Sequence, residues 1–185
     1  MSAIDAAATT NPAGTYKDDG VHSAATFAVK HMVVSTFRGR FEDFSAELVV
    51  DESGNAILNG VVKADTIVVK DENLGAHLKS PEFFDTETHP EIRFESLKVV
   101  RDGDDVTVEG NLTIKGITKP VTGTGTITGP AEDPFGNTKL GLSLETVIDR
   151  TQYGLNWNAP LPKGGFALAD DVKLTVELEL AREEA

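Results

Sequence analysis

Cysteine is absent from the 185 residues, which excludes disulfides, thiolate zinc sites, iron–sulfur ligation and cysteine nucleophiles together. Basic residues are scarce: 17 Lys and Arg stand against 30 Asp and Glu, a formal net charge of −13. That balance speaks against nucleic acid as a partner, because phosphate binding needs a basic footprint. It speaks equally against an anionic membrane surface as the main partner. No uncharged apolar stretch reaches membrane-spanning length, so no membrane span is expected. The opening residues have neither a basic start nor an apolar run and do not read as a signal peptide. The chain as written is therefore expected to be cytoplasmic, or periplasmic if a leader was trimmed. What is present, 39% hydrophobic and 25% charged residues, is ordinary globular composition.

Residues 1–14 are small, polar and aperiodic and read as a flexible N-terminal arm, leaving 15–185 for one domain. From there the dominant signal is alternation with period two, the mark of strands with one buried and one wet face. It is clearest where Val172, Leu174, Val176, Leu178 and Leu180 alternate with Lys173, Thr175, Glu177 and Glu179. The same pattern runs through Val106 to Ile114 and Leu140 to Ile148. Weaker versions include Phe27 and Val29, Phe44 to Val50, Leu58 to Val62, Ile92 to Val100 and Val121 to Ile127. Eight strands result. The connections at Asp51 to Asn55 and Arg101 to Asp104 are too short for a parallel crossover, so the strands are expected to form an antiparallel meander. Two stretches depart from alternation. Val34 to Arg38 is read as one helical turn. Asp71 to Ser80 has an acidic start, a basic end and Pro81 beyond it, the signals of a short helix.

Eight antiparallel strands with one apolar face leave wet edges and a wet face unless they close, so the expected fold is an all-β, eight-stranded up-and-down barrel with one or two short helices. A barrel of this strand number is just wide enough to be filled by side chains or to hold one small ligand. Gly60, Gly110, Gly123 and Gly125 fall on inward positions. They either leave space for a ligand or let the strands bend. Because the inward faces carry Leu, Val, Ile and Phe, any occupant is expected to be apolar and elongated.

The run His77-Leu78-Lys79-Ser80-Pro81-Glu82-Phe83-Phe84-Asp85, continuing through His89-Pro90-Glu91-Ile92-Arg93-Phe94-Glu95-Ser96, resembles the YceI-like polyisoprenoid-binding family. Three more blocks carry the resemblance in the right order. They are Asp19 to Ser23 with Phe27, His31-Met32 and Gly39-Arg40-Phe41; Gly110 to Val121; and Ile148-Asp149-Arg150 with Tyr153-Gly154. The resemblance implies an extended lipocalin-like barrel with an apolar tunnel for a polyisoprenoid or isoprenoid quinone, often as a homodimer. It implies export for many members, which this chain's opening does not match. No cofactor beyond the bound ligand is expected, and no metal.

Alternation and these blocks nominate a ligand-lining set. From the first half it contains Phe27, Val29, His31, Phe41, Phe44, Leu48, Phe83, Phe84 and Phe94. From the second it contains Leu112, Ile114, Ile127, Leu142, Leu144, Ile148, Arg150, Trp157, Leu174 and Val176. For any single aromatic the plain alternative is core packing. For Arg150 it is a rim salt bridge beside Asp149, its other role being to offer a guanidinium to a head group. The four histidines lack metal-ligand spacing, and hydrolase and dinucleotide motifs are missing. The expected function is non-catalytic binding of a long isoprenoid for storage, transport or sequestration. The rivals are an enzyme acting on an isoprenoid quinone through His31 or Arg150, and an interaction protein whose barrel is plugged by its own side chains.

Overall fold

The computed structural model describes residues 11–184. The first ten residues of the expected arm lie outside the described residues, while its last, Gly14, already opens a strand. Among the described residues the chain forms β1 (Gly14–Asp18), β2 (Ala24–His31), β3 (Ser35–Phe41), β4 (Phe44–Val50), β5 (Ala56–Lys63) and the two-residue β6 (Ile67–Val68). The helix α1 (Glu72–Lys79) follows, then β7 (Glu91–Asp102), β8 (Asp105–Ile114), β9 (Ile117–Glu132), β10 (Thr138–Asp149) and β11 (Leu168–Arg182). Short 3-10 turns occupy Ala64–Thr66 and Arg150–Tyr153.

The sheet closes as an eight-stranded ring in the order β1, β4, β5, β7, β8, β9, β10, β11, every pairing antiparallel, with β2, β3 and β6 continuing from β11. From β4 onward the strands of the ring follow in chain order as a meander, as period-two alternation and short turns require, with β6 and α1 inserted between β5 and β7. The exception is at the start of the chain. β1 and β2 lie in succession along one edge of β11: Asp18 opposes Leu180 and Ala24 opposes Glu177. They are in effect one strand broken at residues 19–23, where Glu179 N–H donates to Ser23 Oγ at 3.0 Å. Hence the ring is completed by β1, which the sequence reading did not count among the strands, and β2 stands beside it.

The stretch expected to make a helical turn at Val34 to Arg38 is instead β3. It forms a hairpin with β2 in which Phe27 opposes Gly39 and Ala25 opposes Phe41. Its alternation of Phe37, Gly39 and Phe41 is masked by the glycine. The reason for that glycine is steric: a Cβ there would fall 2.5 Å from the Phe27 ring, which lies over it. The helix predicted over Asp71 to Ser80 is present as α1. Asp71 caps it by accepting from Leu74 N–H at 2.8 Å.

This topology divides the interior. Where β1 bridges β4 and β11 the ring is tight, and Tyr16, Leu48, Val50, Ile127, Leu140, Leu142 and Leu180 pack together there, all buried. Toward the other end β2 and β3 peel away from β4, with β6 and α1 against β3. Here Phe27, Val29, Phe41, Leu78, Phe83, Ile114, Ile148 and Tyr153 form a second cluster.

Candidate functional site

The second cluster, with Leu58, Val108, Leu144 and Leu178 of the first, surrounds an almost wholly apolar cavity of about 610 Å³, within the span typical of small-ligand pockets. Its walls alternate down β2, β5, β8, β10 and β11, as a pleated barrel demands. Its outer end is roofed by α1 and by residues 80–90 and 150–157. The four inward glycines split between the two roles that sequence allowed. Gly60 and Gly123 face the void, where a Cβ would meet nothing closer than 3.6 and 3.7 Å respectively. At Gly125 a Cβ would fall 1.8 Å from the Ser143 carbonyl oxygen, and at Gly110 within 2.6 Å of the Phe94 ring. Those two serve close strand approach and aromatic packing.

Phe27, Val29, His31, Phe41, Phe44, Phe83, Phe84, Phe94, Leu112, Ile114, Leu144, Ile148, Arg150, Trp157, Leu174 and Val176 all border the cavity. Leu48, Ile127 and Leu142 do not. They point inward as their alternation requires, but into the half closed by β1, where protein atoms already occupy the interior.

Aromatic rings build the roof. Phe41 and Phe84 meet edge to face at 5.8 Å, joining β3 to the segment after α1. His77 sits edge-on to both Phe83, at 5.0 Å, and Trp157, at 4.9 Å, while its Nε2 lies 2.5 Å from Glu82. Leu74, His77 and Leu78 share the inward face of α1, and Phe37 joins the wall beside Phe27 at 6.0 Å. The i, i+3, i+4 spacing on α1 was a readable signal for the first three. Phe37 was hidden by the helical reading of its segment.

Arg150 differs most from expectation. Its guanidinium is buried, 5% exposed, and does not pair on the rim with Asp149, whose carboxylate accepts instead from Thr151 N–H and Oγ–H at 2.9 and 2.6 Å. Arg150 Nε donates to the Ala169 carbonyl at 2.9 Å, and Nη1 to the carbonyls of Leu155 and Trp157 at 2.6 and 2.9 Å. Nη2 is buried with no hydrogen-bond partner, the Asp170 carboxylate standing off at 3.8 Å. Burial pushes the Arg150 pKa down against the pull of Asp170 and Asp149. The result is a buried guanidinium at the cavity wall, held by three carbonyls and a 3.8 Å ion pair to Asp170, with one N–H group left without a hydrogen bond at a cost in free energy.

A model of the YceI-like domain matches residues 16–180. The chain belongs to the YceI-like family. Among curated relatives of this YceI-like barrel, a UPF0312 protein of Pectobacterium atrosepticum is 31% identical, covering 93% of this chain and 88% of its own. One of Staphylococcus aureus is 34% identical, covering 90% and 96%. Solved structures share the fold. The Campylobacter jejuni YCEI protein superposes with a TM-score of 0.70 at 26% identity over 84% of this chain and 90% of its own. Burkholderia cenocepacia BcnA gives 0.74 at 22% identity over 88% and 98%. A polyisoprenoid binding domain from Saccharophagus degradans gives 0.65 at 13% identity over 93% and 100%.

Away from the cavity, the filled end of the YceI-like barrel carries Asp19, His22 and Glu179 with ligating atoms within 4.8 Å of one another. His22 Nδ1 contacts Asp19 Oδ2 at 2.9 Å, which raises the histidine pKa and lowers that of the carboxyl. The Lys139 ammonium lies 3.2 Å from Glu179 and 3.9 Å from Asp19, so a cation already neutralises the carboxylates.

Proposed function

We propose that the barrel binds one long apolar chain, a polyisoprenoid or isoprenoid quinone, and releases it chemically unchanged, serving storage, transport or sequestration. One observation carries this reading: an almost wholly apolar cavity of about 610 Å³ with the Arg150 side chain as the cation among its buried lining residues. A chain of hydrocarbon fills the void, and an oxygen on its head is drawn to the positive end of the cavity at Arg150. At about 30 Å³ for each water-sized group, the cavity accepts roughly twenty such groups, the carbon count of about four isoprene units. Burying them releases on the order of 0.8 kcal/mol per methylene, enough to exceed association costs of about 4–15 kcal/mol. The ligand class of the Saccharophagus degradans domain agrees with this choice.

The test is to purify the protein without detergent, extract it with organic solvent and identify the extract by mass spectrometry. A stoichiometric isoprenoid is expected. A chemically altered product would favour the enzymatic rival, and a lipid-free extract from protein that also fails to take up isoprenoid quinone would refute binding. In the same assay a quinone should bind about 10-fold or more tighter than a plain isoprenoid hydrocarbon, the scale of a hydrogen bond to a charged donor.

A further inference from the structure

Two segments of this acidic chain contain no Asp or Glu at all: Gly20 to Phe41 and Arg150 to Ala169. They are far apart in sequence, and the fold joins them beside the cavity. Met32 N–H donates to the Ala167 carbonyl at 2.7 Å, and His31 opposes Leu168 in the ladder between β2 and β11. His31, Ser35, Ala167 and Leu168 border the void, so this junction forms one lip of its mouth.

The lip has an unusual surface. At the β2–β3 tip, Val33 is 80% and Val34 86% exposed, and Phe166 on the neighbouring loop is 60% exposed. Met32 and Val33 adopt φ of 54° and 66°, a conformation that a β-branched residue strongly resists. Asn or Gly would suit the turn better, so these apolar residues occupy it against local preference. Lys30, Arg38 and Lys163 are exposed around them. Among the described residues none of these three forms an ion pair. The acids that follow these segments are Glu42, paired with Arg40 at 2.7 Å, and Asp43 after the first, and Asp170, held toward Arg150, and Asp171, on the outer face of β11, after the second. Charges beyond about 8 Å are largely screened at physiological salt.

We propose that this lip docks on an anionic lipid bilayer, with Met32, Val33, Val34 and Phe166 entering the interface and Lys30, Arg38 and Lys163 meeting lipid headgroups. Net charge disfavours an anionic membrane for the molecule as a whole; the lip differs because carboxylates are absent from the two segments that form it. Docking sets the mouth of the cavity against the phase in which an apolar chain dissolves. That purpose rests on the proposed function, but docking is read on ligand-free protein, so the two can fail separately.

The test is flotation of the full chain with vesicles of 30% phosphatidylglycerol in phosphatidylcholine, against vesicles of phosphatidylcholine alone. Binding is expected to the anionic vesicles and to weaken as salt rises. Each cation near an anionic surface contributes on the order of fivefold. Reversal of Lys30 and Arg38 to Glu should therefore lower partitioning at least tenfold. Val33→Asn with Val34→Ser should lower it similarly while leaving the thermal midpoint unchanged or higher, because Asn tolerates the positive φ. Absence of vesicle binding at low salt would overturn the proposal. So would binding that neither variant changes. Loss of a homodimer in the Val33→Asn, Val34→Ser protein with vesicle binding intact would also overturn it, assigning the lip to a second copy of the chain.

Discussion

Gly123 separates a hollow barrel from a plugged one. A Cβ added there meets only ordinary contacts, 3.7 Å to the Glu145 carbonyl oxygen and 3.9 Å to Leu144 Cβ, and the position faces the void. Gly123→Leu therefore places four carbons where the ligand lies, excluding about four methylene-sized groups. At about 0.8 kcal/mol each that removes roughly 3 kcal/mol of ligand burial, about two orders of magnitude in Kd. The fold should tolerate the change, since glycine inside a strand costs about 0.5–1 kcal/mol relative to alanine. Gly125 supplies the contrast on the same strand. Its added methyl would strike the Ser143 backbone at 1.8 Å, where no side chain can turn away, so Gly125→Ala should destabilise by about 2 kcal/mol or more. Trp157, the single tryptophan, borders the cavity and reports binding by its emission. The measurement is a titration of lipid-free protein with a four-unit isoprenoid quinone, paired with denaturant unfolding. Unchanged Kd in a folded Gly123→Leu protein would refute an occupied cavity, and equal stability losses at the two glycines would refute the division of their roles.

Affinity should climb steeply as isoprene units are added up to about four and flatten beyond. A continued rise through eight units, measured by the same titration, would mean that the filled half opens. Tyr153 Oη is buried without a partner, so Tyr153→Phe should raise stability by about 1 kcal/mol, read from the midpoint of thermal unfolding; a lower midpoint would show that the hydroxyl is bonded in solution. Burial also raises the pKa of Tyr153, and of Tyr16 despite the opposing Arg182. The unfolded chain therefore releases these protons first, and stability should be full below the ordinary tyrosine value near 10 and fall as pH rises through it. The Phe variant should weaken that alkaline slope. Asp71→Ala removes the cap on α1 and should cost about 1 kcal/mol, with faster ligand release because Leu74 and Leu78 border the cavity.

Period two is a local property, and locality explains what could be read without coordinates. Leu174, Val176 and Leu178 had to share a face whichever strands flanked them, and apolar faces on eight strands had to close. The cap, acidic start and proline stop of α1 are equally local. Four separated motif blocks, matched in order, pointed to the family. The edge at which a strand pairs is not local. β1 and β3 were missed because one is five residues long and the other carries a glycine where its alternation should show.

That non-local choice decided the site. Bridging of β4 and β11 by β1 packs one end solid, leaving Leu48, Ile127 and Leu142 in core rather than cavity. The departure of β2 and β3 opens the other. Gly123 and Gly125, two residues apart on one strand, differ only in how closely β10 approaches. Arg150 reads as a surface charge until the loop after the turn at Arg150–Tyr153 and the start of β11 bring three carbonyls to it. Sequence determined that a greasy cylinder would form, because side-chain alternation depends on the chain alone; where that cylinder is empty depends on which backbones meet, and only the tertiary structure decides that.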